Sequence, residues 1–322
     1  MAPQQTVLIL NPVSGDAEPN AEKEPRITAE LAAGGVGIEI ITTTDENPAD
    51  QIARAALAQG CRTILVGGGD GTVSLVAREL IGSEATLGVI PIGTFNNFAR
   101  SLGVPPELEE ACRIITAGHR EAIDVGIAND AHYFFEAAGA GLDAALFPLG
   151  EEIKGGRWSR VFRALYLAFN FDRQTFLLTF DRPVAEARTP GRRRPWKAPQ
   201  PHSTALHRHA YFVVAANGPY YGSGFTVSPG ARLRDGRLTI SVYRRFSRLE
   251  LIRHFWSISH GSHRYAPKLE TYTAAEVRID ARAPQPVHLD GQPFGETPVT
   301  LRAVPAALQV FRPAMRAAPP TP

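Results

Sequence analysis

The sequence predicts a two-part α/β protein: a doubly wound α/β domain over residues 1–124, then a β-sandwich-like domain over 125–315 with a tail at 316–322. Three observations predict this. Short apolar runs alternate with helical patterns through the first third, as in a parallel sheet covered on both faces. The remainder is mostly short strand-like runs separated by Gly and Pro, the pattern of a sandwich. At 322 residues with 44% hydrophobic and 20% charged residues, the chain is globular and can bury two cores.

In the first part, Thr6 to Leu10, Ile38 to Thr42, Thr63 to Val66 and Leu87 to Ile90 read as buried strands. The clearest helix begins at Asn47-Pro48, a capping residue followed by proline at the first helical position, and stops at Gly60. A second runs from about Thr72 to Leu80, and a third from Glu107 to Thr116 with Gly118 beyond it. In the second part the strands are Tyr133 to Ala137, Phe176 to Phe180, Tyr211 to Ala216, Leu238 to Tyr243, Val277 to Asp280, Val287 to Leu289, Val299 to Arg302 and Leu308 to Phe311. Helical patterns intervene at Trp158 to Phe169 and Leu249 to Ser259. Residues 182–208, rich in Pro and Arg and poor in aliphatics, read as a long mobile basic loop.

A net charge of +2 gives no field that would gather nucleic acid, and no nucleic-acid partner is expected. Cys61 and Cys112 cannot form a disulfide framework and suit a reducing cytoplasm. No signal peptide is expected from the residues ahead of the first strand, and no apolar run is long enough for a transmembrane helix. His254, His260 and His263 match no zinc spacing and read as surface or capping residues.

Chemistry concentrates in Gly67-Gly68-Gly69-Asp70-Gly71-Thr72, which leaves one strand and enters a helix. Glycines let the backbone approach a ligand closely, and the helix start offers unpaired N–H groups to a phosphate. Asp70, among such phosphates, is placed to hold Mg²⁺ or its waters. As a turn residue facing ligand, it is expected to add little to packing. No Lys follows the last glycine, so this is not a Walker A loop. Asn11-Pro12-Val13-Ser14-Gly15 follows the first strand, and Pro91-Ile92-Gly93-Thr94-Phe95-Asn96-Asn97 follows the fourth. In an open parallel sheet these three turns meet at the carboxyl edge, where ligands bind, which marks a nucleotide-binding domain.

The Asn-Pro-x-Ser-Gly, Gly-Gly-Asp-Gly-Thr and Pro-x-Gly-Thr-x-Asn segments resemble the diacylglycerol kinase catalytic domain of bacterial lipid kinases, the superfamily of sphingosine and ceramide kinases. The resemblance continues through Gly141-Leu142-Asp143-Ala144, Asn217-Gly218, Tyr221-Gly222-Ser223-Gly224, Asp235-Gly236 and Asp290-Gly291, covering about residues 6–312. It implies an enzyme that uses ATP and Mg²⁺ to phosphorylate a hydroxyl of a lipid substrate, diacylglycerol-like, working in the cytoplasm at the inner membrane surface. It implies nucleotide contacts from Asn11, Ser14, Thr44, Gly68, Gly69, Gly71, Thr72, Gly93 and Thr94. It also implies that Asp290 is the general base, that Asp70 is catalytic and metal-binding, and that Asp124 belongs to the metal-water network.

Asn97 and Gln292 stand where the family has Asp and Glu, within that same network. Each keeps a carbonyl acceptor while losing a charge, so weaker Mg²⁺ binding is expected. Asp235-Gly236 reads either as a structural Mg²⁺ site or as a plain hairpin turn. Arg182, Arg188, Arg192, Arg193, Arg194, Lys197 and Arg208, beside Trp196, could meet an anionic bilayer or simply face solvent. Phe162, Leu165, Tyr166 and Phe169 read as a core stripe, or as a lipid-facing wall. An NAD kinase-like enzyme and a pseudokinase that binds without turnover are the competing readings.

Overall fold

The computed structural model describes residues 6–15, 20–146, 163, 166–167, 170–186, 203–222, 224–259 and 268–314. The chain divides into two compact units, Met1–Ile123 with Ala306–Pro322, and Asp124–Pro305.

The first unit alternates strand and helix: β1 (Thr6–Leu10), α1 (Asn20–Ala33), β2 (Ile38–Thr42), α2 (Ala49–Ala58), β3 (Thr63–Gly68), α3 (Asp70–Leu80), β4 (Thr86–Pro91), α4 (Asn97–Leu102) and α5 (Leu108–Thr116). Its strands are parallel in the order β2-β1-β3-β4. β1, β3 and β4 are buried along their whole length, because helices cover both faces of a parallel sheet. Leu8, Leu10, Leu65 and Ile90 form the core with Ile27 and Leu31 of α1 and Cys112 and Ile115 of α5.

The second unit is an antiparallel sandwich. It contains β5 (Arg120–Ala128, which starts in the first unit), β6 (His132–Phe134), β7 (Ala137–Gly141), β8 (Gln174–Val184), β9 (Ser203–Ala210), β10 (Phe212–Ala216), β11 (Tyr220–Tyr221), β12 (Phe225–Thr226) and β13 (Leu238–Val242). α6 (Arg248–Ser259), β14 (Glu270–Ala274), β15 (Glu276–Ala281), β16 (Pro286–Leu289), β17 (Gln292–Glu296) and β18 (Val299–Phe311, which ends in the first unit) complete it. One sheet runs β14-β13-β10-β7-β16-β17; opposite it, β18, β15, β8 and β9 pair in that order. Val213, Ala215 and Ile240 of the first sheet and Phe176, Leu178, Ile279 and Leu301 of the second share one buried core.

Several elements differ from the sequence expectation. α2 begins one residue late: Pro48 is its extended N-cap, because Asn47 N donates to Thr44 Oγ1 (3.0 Å) instead of starting the helix. α4 is too short to show a period, and α1, with Pro25 inside it, has a weak one. β9, β14 and β17 end their sheets, and half-exposed edge strands lack the apolar signature of central ones. The strand expected over 133–137 is two, β6 and β7, parted at Phe135-Glu136. The two expected at 299–302 and 308–311 are one, β18, whose pattern is broken by Pro305 and by Ala306 at φ 50°.

The expected loop at 182–208 is shortened from both ends. Arg182 belongs to β8, and Arg208 belongs to β9, tied to Glu270 Oε1 and to the Tyr272 hydroxyl. Arg188, Arg192, Arg193, Arg194, Trp196 and Lys197 lie outside the described residues, as do Phe162, Leu165, Phe169, His260 and His263. Tyr166 is exposed. His254 is not at the surface but buried beside the rings of Tyr243 and Phe246.

Candidate active site

In the first unit, the turns after β1, β3 and β4 come together. Asn11 Nδ2 donates to Thr72 Oγ1 at 2.8 Å, joining the first turn to the start of α3. A Cβ on Gly93 would lie 2.4 Å from Gly69 Cα, so two glycine turns meet backbone to backbone. The Gly93 turn is braced by Asn96, which stands in the left-handed region (φ 51°) and exchanges two bonds with Gly93: N–H to Oδ1 at 3.0 Å and Nδ2 to carbonyl at 2.7 Å. Beside these turns opens a cavity of about 530 Å³. Asn11, Thr43, Thr44, Asp45 and Thr72 give it polar walls, while Val13, Pro48, Ala49 and Leu75 give apolar ones. Val13 is 86% exposed and Leu75 39%, apolar surface that a flat ring could cover.

Asp70 departs from the packing expectation. It is the first residue of α3, and its Oδ1 accepts the Phe98 N–H at 3.0 Å, with further backbone bonds from Asn97 and Asn96. The carboxylate thus caps α4, whose own N-cap residue makes no side-chain cap. Burial pushes the Asp70 carboxyl above its ordinary range, against those three N–H groups and the nearby Arg100. A half-buried anion held at that disadvantage is a fitting place for a cation. Asn97 is buried at the start of α4, Thr94 is exposed, and Ser14 follows the Asn11 turn.

The second unit holds Asp124, Asp290 and Gln292. Asp290 lies between β16 and β17 in the left-handed region (φ 48°), followed by Gly291 at φ 82°. Its Oδ2 accepts the Phe135 N–H at 2.8 Å, and its Oδ1 accepts those of Glu136 (2.8 Å) and Ala137 (3.0 Å). The strand break between β6 and β7 is therefore where Asp290 docks. Asn217, fully buried, donates from Nδ2 to the carbonyls of Asp124 and Phe135, both at 3.1 Å, linking the two acids through backbone. Asp124 is buried in β5, and its Oδ2 accepts the Gly236 N–H at 2.7 Å. Burial, then the neighbouring Asp124 charge, raises the Asp235 carboxyl. Gln292 is exposed at the start of β17.

Among the described residues, no group of three or more His, Cys, Asp or Glu side chains forms a metal cage. Mg²⁺ bound with a nucleotide does not need one: one or two carboxylates, phosphate oxygens and water suffice. The donors present fit such an ion, with Asp70 as the carboxylate of the nucleotide side. Sequence reasoning missed the parts played by Asn96 and Asn217. Asn217 lay within a noted Asn-Gly pair, yet its bonds to residues 93 and 82 positions away leave no local signal.

Residues 5–128 match the diacylglycerol kinase catalytic domain, and residues 199–312 match the YegS C-terminal NAD kinase β-sandwich-like domain. The first of these matches spans all three joined turns. The two matched domains are those of the diacylglycerol kinase and YegS-like family. It is 29% identical to a diacylglycerol kinase of Mycobacterium tuberculosis over 310 residues, covering 95% of this chain and 94% of the relative. It is 27% identical to the probable lipid kinase YegS of Salmonella typhimurium, with 94% of both covered. Its fold is similar to the crystal structure of a diacylglycerol kinase from Bacillus anthracis (TM-score 0.71, 21% identity, 96% and 97% covered). Among the described residues, no helix is long and apolar enough to cross a membrane.

Proposed function

We propose that this lipid kinase transfers the γ-phosphate of ATP, with Mg²⁺, to a hydroxyl of a diacylglycerol-like membrane lipid. The observation that carries the reading is the joining of three glycine-bearing turns at the carboxyl edge of the parallel sheet, with Asn11 bonded to Thr72 at 2.8 Å. Backbone N–H groups at the start of α3 and at the Gly93 turn hold phosphate oxygens, and Thr44 and its neighbours line the cavity for the rest of the nucleotide. Mg²⁺, when bound with ATP, supplies neutralising charge for the transferred group; Asp70 is its carboxylate and Asn97 a neutral neighbour.

In the second unit, Asp290 orients the lipid hydroxyl and receives its proton, Asp124 fixes the backbone that positions it through Asn217, and Gln292 borders it. Phosphoryl transfer asks little of a base, so a carboxylate pinned by three N–H groups is adequate. The basic segment at 188–197 supplies contact with an anionic bilayer.

Purified protein is incubated with radiolabelled ATP and Mg²⁺ against a total lipid extract, NAD and short-chain diacylglycerol, and products are resolved by chromatography. Label is expected in one lipid, faster from anionic than from neutral vesicles. Label in NAD alone supports the NAD kinase reading, and ATP binding without any labelled product supports the pseudokinase.

A further inference from the structure

We infer that a buried Tyr221–His288–Asp143 relay fixes the tautomer of His288 and so holds the Asp290–Gly291 turn in shape. The His288 side chain has no solvent exposure, and Asp143 and Tyr221 are buried with it. The Tyr221 and His288 rings stack, 5.2 Å between centroids and 8° from parallel. A Cβ at residue 139 would lie 2.3 Å from both Asp143 Oδ2 and His288 Nε2; glycine on β7 is what leaves room for the pair.

Two bonds assign the imidazole proton. Nδ1 lies 3.2 Å from the Gly291 N–H and accepts it, so that nitrogen carries no hydrogen. Nε2 faces the Asp143 Oδ2 at 3.2 Å and the Tyr221 hydroxyl oxygen at 2.6 Å, so it carries the proton. Tyr221 closes the triangle by donating to Asp143 Oδ2 at 3.5 Å. Burial, reinforced by the Asp143 charge, raises the Tyr221 phenol well above its ordinary range, and it stays a hydroxyl. The relay thus ends on the Gly291 N–H, one residue beyond the carboxyl that accepts from Phe135, Glu136 and Ala137. Both turn residues have positive φ, and for Asp290 that is an uncommon conformation that surrounding bonds must hold. His288 is therefore a positioning residue, acting through Asp290. Its effect on turnover rests on the role given to Asp290 above.

The first test is nitrogen-15 NMR of the histidines in the full chain. Wild-type His288 is expected with its proton on Nε2. Asp143→Asn offers an amide N–H to Nε2, drawing the imidazole proton to Nδ1, where it opposes the Gly291 N–H. That variant is expected to change tautomer and lose roughly tenfold or more in kcat, with KM for ATP unchanged, on the scale of lost orienting partners. Asn places an amide oxygen near the Nδ1 position, so His288→Asn should keep most of the turnover that His288→Leu loses. A wild-type proton on Nδ1, or equal kcat in the Asn and Leu variants, would overturn the inference. If Asp290→Asn keeps full turnover, the role of Asp290 fails, and the tautomer measurement still decides whether the relay holds the turn.

Discussion

The two units build their functional edges in opposite ways. In the first, backbone does the work: glycines at residues 69 and 93 let two turns touch, and the start of α3 presents N–H groups. In the second, side chains do it: Asp290, Asn217 and Asp124 each bond to the backbone of a segment distant in the chain. The first edge is compact in sequence, because each turn follows its strand directly in a βαβ unit. The second is long-range, because antiparallel strands bring distant segments side by side. A site made of backbone tolerates side-chain changes that add no bulk, whereas a site made of side-chain bonds fails when one acceptor is removed.

The largest expected effect lies in the second unit. Asp290→Ala removes the proposed base, a loss of roughly 10²–10⁴-fold in turnover. It also strands three backbone N–H groups, at about 1–3 kcal/mol for each one left without a partner. Initial rates and urea melts should show both losses together; loss of rate with unchanged stability would mean the three bonds do not form in solution.

Asp70 comes next and separates chemistry from capping. Asp70→Ala should lose turnover and about 1 kcal/mol from the lost cap of α4. Asp70→Asn should lose turnover while still capping. Because burial raises the folded pKa of Asp70, its contribution to stability is fully present below the unfolded pKa of about 4 and is lost as pH rises through the raised value. Melting temperatures across that range should fall in wild type relative to Asp70→Asn. Added Mg²⁺ and ATP should reverse the loss, less so as Asp70 protonates. Parallel pH curves for the two proteins would show that the carboxyl is not destabilised by burial.

A pair of glycine variants tests the backbone edge. Gly93→Ala drives a methyl into Gly69 and should raise KM for ATP by at least tenfold, whereas a Cβ at Gly71 meets no atom of the described residues within 4 Å. Any rise in KM for ATP in Gly71→Ala with an unchanged melt then reports bound nucleotide alone. Equal KM values for both variants and wild type would remove phosphate from these turns.

The smallest effects belong to the two family departures. Asn97→Asp should lower the half-saturating Mg²⁺ concentration roughly tenfold, about 1–2 kcal/mol after desolvation and repulsion from Asp70 are subtracted. Gln292 is exposed, so Gln292→Glu should shift it less. Rates titrated with Mg²⁺ decide it; an unchanged half-saturation in both variants leaves these side chains outside the ion's reach.

The sequence by itself determined β1 to β4 and the helices α2, α3 and α5, because burial on both faces of the sheet leaves near-continuous apolar runs. It determined the Gly67-Gly68-Gly69-Asp70-Gly71 turn, because glycines in a row between a strand and a helix mark a backbone that must approach its surroundings closely. It also marked Asp290-Gly291 and Asn217-Gly218 through resemblance alone, without saying what they touch. Only the tertiary structure decided that Asp70 caps α4, that Asp290 docks in the gap between β6 and β7, and that Asn217 ties Asp124 to that same gap. Edge strands β9, β14 and β17 also waited for it. The reason is one of range. Propensity and periodicity act over a few residues, whereas these bonds span 28 to 155 residues and depend on which strands pair.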